Sequence, residues 1–238
     1  MNSLRPAEAA ATPPRILVEI CVDSVVSAQM AARAGAGRLE LCAEADVGGT
    51  TPAIDTLHAV LNSVGVPVFA MARPRAGDFV YDSREFDAMC RDIERLREAG
   101  AAGIVSGVLC RDRSVDRSRT AELVAAARPL PFTFHRAFDD TPDPRTALDV
   151  LLETGVARVL TSGGAPTALA GMSVIAELVR AAGDRLVVMA GGRVRATHAT
   201  RLVAATSVRE VHARPTLGDD PLGEIDPDAV RALVEGAS

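Results

Sequence analysis

Glutamates, cysteines, histidines and an arginine occupy alternate positions of short apolar runs. Glu19, Cys21 and Asp23 alternate with Val18, Ile20 and Val22, while Arg38, Glu40 and Cys42 alternate with Leu39 and Leu41. Glu210 and His212 flank Val211, and Thr133 and His135 alternate with Phe132 and Phe134. Successive side chains of a strand point to opposite faces, so each polar set shares one face. Charges on a buried face must pair or serve a ligand, because desolvation costs on the order of several kcal/mol per ion.

These residue types support two chemistries. Cys21 and Cys42 end neighbouring strands and point the same way, so they can offer two soft thiolates to Cu(I). The plainer reading makes them small buried core residues. The second chemistry is proton transfer on a small anion, with Glu19 or Glu40 as base and His135 as general acid or base. Arg38 and Arg73 complete that catalytic set, and Arg38 is placed to neutralise Glu19 or Glu40. Arg75, and with it Arg136 and Arg193, is suited to clamp an oxyanion bidentately. Backbone amides at Ser162, Gly163, Gly191 and Gly192 form candidate anion nests. The plainer alternative for the whole polar set is a structural ion-pair layer. Asp78, Asp139 and Glu44 are the candidate hard-metal ligands, against their more ordinary use as loop caps.

Composition narrows the choice of mechanism. All 26 basic residues are arginine and the chain has no lysine, which excludes Schiff-base aldolase chemistry, an internal pyridoxal-phosphate aldimine and a P-loop lysine. If the protein is an enzyme, the expectation is a lysine-independent lyase or isomerase using Glu/His acid–base chemistry on a phosphorylated or carboxylated metabolite. A net charge of −5 with mixed signs gives no footprint for nucleic acid. No apolar run approaches the ~18 residues of a membrane span. Four scattered cysteines without a CxxC pattern read as free thiols.

The elements that must position these groups repeat from end to end. Strands are expected at Ile16–Val22, Arg38–Cys42, Pro67–Arg73, Gly103–Val108, Pro131–Arg136, Arg158–Thr161, Arg185–Ala190 and Val208–Ala213. Helices are expected at Val25–Ala34, Ala53–Ser63, Ser83–Ala99, Arg117–Ala126, Pro144–Thr154, Thr167–Ala182, Arg195–Ala204 and Pro227–Glu235. Gly35, Gly65, Gly100, Gly155 and Gly183 follow helices as stop signals. Eight strictly alternating units predict one α/β domain, a (β/α)8 TIM-type barrel over residues 15–238, after a disordered tail at residues 1–14. Function in such a barrel sits on the loops after the strands, where His135-Arg136-Ala137-Phe138-Asp139 and Ser162-Gly163-Gly164 fall.

Five ordered segments resemble the CutC family of copper homeostasis proteins: Glu19-Ile20-Cys21-Val22-Asp23-Ser24; Arg38-Leu39-Glu40-Leu41-Cys42 with Gly48-Gly49-Thr50-Thr51-Pro52; Arg73-Pro74-Arg75-Ala76-Gly77-Asp78-Phe79; Thr133-Phe134-His135-Arg136-Ala137-Phe138-Asp139; and Val159-Leu160-Thr161-Ser162-Gly163. The resemblance runs in register from about Ile16 to His212. It implies a TIM barrel, a cytoplasmic location, a homodimer and a role in copper handling, with Cu(I) at Cys21 and Cys42. The chain departs from the family pattern at Ala190-Gly191-Gly192-Arg193, at Ser106 and at Ala213-Arg214-Pro215.

Overall fold

A computed structural model describes residues 16–220 and 223–237, so the tail expected at residues 1–14 lies outside the described residues. Eight parallel strands pair in chain order and close on themselves. They are β1 (Leu17–Val22), β2 (Arg38–Leu41), β3 (Val68–Met71), β4 (Gly103–Ser106), β5 (Phe132–Phe134), β6 (Arg158–Thr161), β7 (Val187–Ala190) and β8 (Glu210–Ala213). A helix follows each strand: α1 (Val25–Arg33), α2 (Ile54–Leu61), α3 (Ser83–Glu98), α4 (Arg117–Ala127), α5 (Pro144–Thr154), α6 (Met172–Ala182), α7 (Ala196–Thr206) and α8 (Pro227–Gly236). This is the (β/α)8 barrel that the alternation predicts.

Strand alternation decides the two sides of the barrel wall. Ile20, Leu39, Leu41, Ile104, Phe132 and Phe134 are buried in the main apolar core, together with the helix residues Leu57, Met89, Ile93, Leu96 and Leu123. Each such side chain contributes roughly 1.5–3 kcal/mol by leaving water. The polar partners of the alternation therefore face the interior of the barrel. Helix starts follow their sequence signals: Ser24 and Asp82 close capping boxes, and Asp143 and Asp226 cap helices that begin with proline.

Two elements differ from expectation for identifiable reasons. β5 stops at Phe134 because His135, whose N–H still donates to the Ser106 carbonyl of β4 at 3.0 Å, caps a short 3-10 turn with its side chain, Nδ1 accepting from the Ala137 N–H at 3.3 Å. α6 begins at Met172, five residues after Thr167, because the preceding turn crosses beneath the loop after β6. That crossing is tight: a Cβ on Gly163 would lie 2.6 Å from the Gly171 carbonyl oxygen, and one on Gly171 would overlap the Ser162 carbonyl. Gly163 also has φ +73, so both its conformation and its packing exclude a side chain.

Candidate functional site

The strand register brings the inward polar residues side by side. Glu19 of β1 pairs in register with Arg38 of β2 and with His212 of β8, and Cys21 pairs with Glu40. At the bottom of the barrel Arg38 bridges Glu19 and Glu210, and Arg158 adds a second contact to Glu210 at 3.2 Å. Both guanidiniums lie over the Phe69 ring, at 4.8 and 5.0 Å from its centroid. Arg38 thus neutralises Glu19, one of the two partners that alternation allowed, and takes Glu210 instead of Glu40 as its second.

Above this layer His212 mediates between the remaining acids. Its Nδ1 lies 2.8 Å from Glu19 and 3.3 Å from Glu40. Burial raises the Glu19 carboxyl, but the His212 hydrogen bond and the Arg38 charge outweigh it and bring the group to about 2. Glu40 has no arginine contact; burial dominates and pushes it up to about 8, with the His212 charge opposing. Burial lowers His212, and the facing Glu40 and Glu19 more than restore it, leaving it raised. Both shifts favour binding a proton, and one proton can sit on either Glu40 or His212. Either arrangement is neutral: three carboxylates against two guanidiniums and an imidazolium, or two carboxylates against two guanidiniums.

A cavity of about 490 Å³ opens above this cluster at the C-terminal ends of the strands. Cys21, Glu40, Arg73, His135 and His212 line it, whereas Glu19 and Arg38 are buried beneath. The Cys21 and Cys42 Sγ atoms are 3.6 Å apart, and both cysteines are free thiols. Donor atoms of Cys21, Glu40 and His212 lie within 4.8 Å of one another, a spacing that suits a metal ion. The Cys42 contact and burial raise the Cys21 thiol well above its ordinary value, with Arg214 opposing. Cys90 lies on α3 and Cys110 in the loop after β4, and neither lines the cavity.

At the mouth, the Arg73 guanidinium donates to the carbonyls of Val47, Gly49 and Gly77 at 3.1, 2.8 and 2.9 Å, tying the loops after β2 and β3 together. Phe79 lies between Arg73 and His135, 4.9 Å from each. Burial, then the neighbouring Arg73 charge, drive His135 down to about 3, so its imidazole is neutral. Arg214 pairs with Asp23 at 2.6 Å. Arg75, two residues beyond Arg73, turns away from the cavity to Glu85, Asp78 and the Val80 carbonyl.

The glycine-rich corner is already filled. The Asp139 carboxylate accepts from Thr161 Oγ1, the Ser162 N–H and hydroxyl, the Gly164 N–H and Arg136 Nε. The Gly163 N–H donates to Thr161 Oγ1, and the Gly191 N–H to the Thr161 carbonyl. A side chain of the same chain thus takes the place that the sequence suggested for an external anion at Ser162 and Gly163. Asp139 is a loop clamp and not an open hard-metal ligand.

His212 is the site residue that sequence reasoning left out of its candidate set. Alternation already turned it inward beside Glu210. Its importance comes from ring closure, which sets β8 against β1. Arg158, Arg214 and Asp139 likewise act through partners far away in the chain.

Residues 16–216 match the model of the CutC family. The mouse protein "Copper homeostasis protein cutC homolog" is 47% identical over 82% of this chain and 72% of its own length. A CutC family protein of Salmonella heidelberg is 48% identical over 83% of this chain and 79% of its own. A solved CutC structure from Streptococcus agalactiae superposes with a TM-score of 0.79 at 32% identity, covering 83% of this chain and 97% of that one. Among the described residues no helix is long and apolar enough to cross a membrane. The ordered motifs, the closed barrel and these likenesses agree, and the chain belongs to the CutC family of copper homeostasis proteins.

Proposed function

We propose that this protein serves copper homeostasis by holding Cu(I) as cargo between Cys21 and Cys42. The observation that carries this reading is a pair of free thiols 3.6 Å apart, with Cys21 lining the floor of an open cavity and Cys42 buried against it. Soft thiolates select Cu(I) over harder ions. His212 and Glu40 stand beside Cys21 and can supply a third donor. Both thiols must lose their protons to bind, so loading releases protons. The relatives named for copper homeostasis support the same cargo.

The lyase or isomerase alternative has weaker support. Glu19 and Arg38 are tied to each other below the cavity, and the β6 amides already hold Asp139. An anaerobic Cu(I) competition titration tests the copper reading. The wild type is expected to hold one Cu(I), and the Cys21→Ser/Cys42→Ser variant to lose it; unchanged affinity rejects the site. The same reading places the protein in the cytoplasm as a homodimer, and light scattering that gives the mass of one chain rejects the pairing.

A further inference from the structure

The mouth of the cavity holds N–H donors that no group among the described residues satisfies. Arg73 Nε, His135 Nε2 and Arg214 Nε are buried without a hydrogen-bond partner, and all three residues line the cavity. They come from the loops after β3, β5 and β8, so they converge from three sides of the barrel. Buried polar groups are almost always paired, and an orphaned donor in a cleft calls for an explanation.

The charges at the mouth lead to the same place. Arg214 has Asp23 and Arg136 has Asp139, while Asp140 stands exposed at the rim. Arg73 is 4% exposed, and among the described residues it makes no ion pair; its three hydrogen bonds go to neutral carbonyls. The Tyr81 phenol lies against the same guanidinium within hydrogen-bonding reach, but burial keeps it protonated, so it brings no negative charge. A buried guanidinium without a carboxylate is costly unless an anion arrives. His135 is also 4% exposed. Its Nδ1 accepts from the Ala137 N–H, which puts the ring proton on Nε2, so the orphaned nitrogen is a donor.

We propose that the mouth of this cavity binds a small organic anion, whose carboxylate or phosphate oxygens accept hydrogen bonds from Arg73, His135 and Arg214 while its apolar body rests on Phe79 and Met71. The cavity of about 490 Å³ far exceeds the needs of a single metal ion and falls in the range of small-molecule sites, about 300–1,000 Å³. Phe79 and Met71 supply an apolar wall next to the donors. The β6 corner borders the same cavity, but Asp139 already satisfies its amides, which leaves the Arg73, His135 and Arg214 donors for the anion. It sits above the thiols but does not depend on them, so it stands or falls apart from the copper reading.

Benzoate and phenyl phosphate test it on the copper-free full chain, since they share an apolar body and differ in the oxyanion. Calorimetric titration should show saturable one-to-one binding of at least one of them, and the one that binds identifies a carboxylate or a phosphate site. Arg73→Gln and His135→Phe should each weaken that binding about tenfold or more, while Arg201→Gln, exposed on α7, should leave it unchanged. His135→Phe keeps a ring packed on Phe79, so it reports on the lost donor even if Arg73→Gln loosens the loops. Absence of binding by both probes overturns the proposal. Equal binding of neutral benzamide overturns it too, as does a loss of binding in Arg201→Gln alone.

Discussion

The sulfurs of Cys21 and Cys42 face each other 3.6 Å apart across β1 and β2, and only Cys21 reaches the cavity. The Cys42 contact and burial hold the Cys21 thiol protonated well above its usual range. Cu(I) must displace that proton, so affinity should rise with pH by about tenfold per unit for each thiol deprotonated on binding. Competition titrations between pH 6 and 8 check this. A flat profile would show that thiolates are not the ligands.

Removing Arg38 should cost more than any surface change. Arg38→Met leaves Glu19 and Glu210 buried without their shared cation. Breaking one partner of a buried ion pair costs about 3–5 kcal/mol. Adding Glu19→Gln should recover part of the loss, because it removes one stranded charge. Urea denaturation of the single and double variants measures both. A single variant as stable as the wild type would mean that the pairs are not holding the barrel.

Glu40 should make stability fall as pH rises. Its carboxyl is held at about 8 in the folded protein against an ordinary 4.5, so its contribution is complete below pH 4.5 and lost between there and pH 8. His212 is raised by the same neighbours, and a raised histidine also loses its contribution as pH increases. Glu40→Gln removes the first effect and weakens the second. The variant should therefore show a flatter urea-midpoint profile from pH 5 to 8 and greater stability than wild type at pH 8. Persistence of the wild-type slope would refute the shared-proton picture.

Asp139 should behave as an internal substitute for an anion. Asp139→Ala strips the carboxylate from two backbone N–H groups, two hydroxyls and Arg136. Hydrogen bonds to a charged group contribute roughly 1.5–3 kcal/mol each, and water entering the emptied nest offsets much of their joint loss, so a net loss of about 2–4 kcal/mol is expected. Inorganic phosphate should then raise the melting temperature of the variant more than that of the wild type. An equal rise in both would mean that the emptied nest does not take an anion.

The fold and the inward-facing residues were readable from the chain because the information is local. Strand alternation turned Glu19, Cys21, Arg38, Glu40, Glu210 and His212 to one side, and eight βα units implied a closed sheet. The absence of lysine, visible at once, removed the Schiff-base mechanisms. Neighbour relations were another matter. His212 meets Glu19 across 193 residues of sequence because β8 closes against β1, and no periodicity records that distance. Arg73 and Arg75 are two residues apart, yet one is buried at the cavity mouth and the other pairs with Glu85 outside it. The amides of Ser162 and Gly164 form a good anion nest in the sequence, and packing of the β5 loop fills it with Asp139. The sequence alone determined which side chains face inward. Which charge neutralises which, and which donors are left unpaired, was decided only when the barrel closed and its loops packed over the rim.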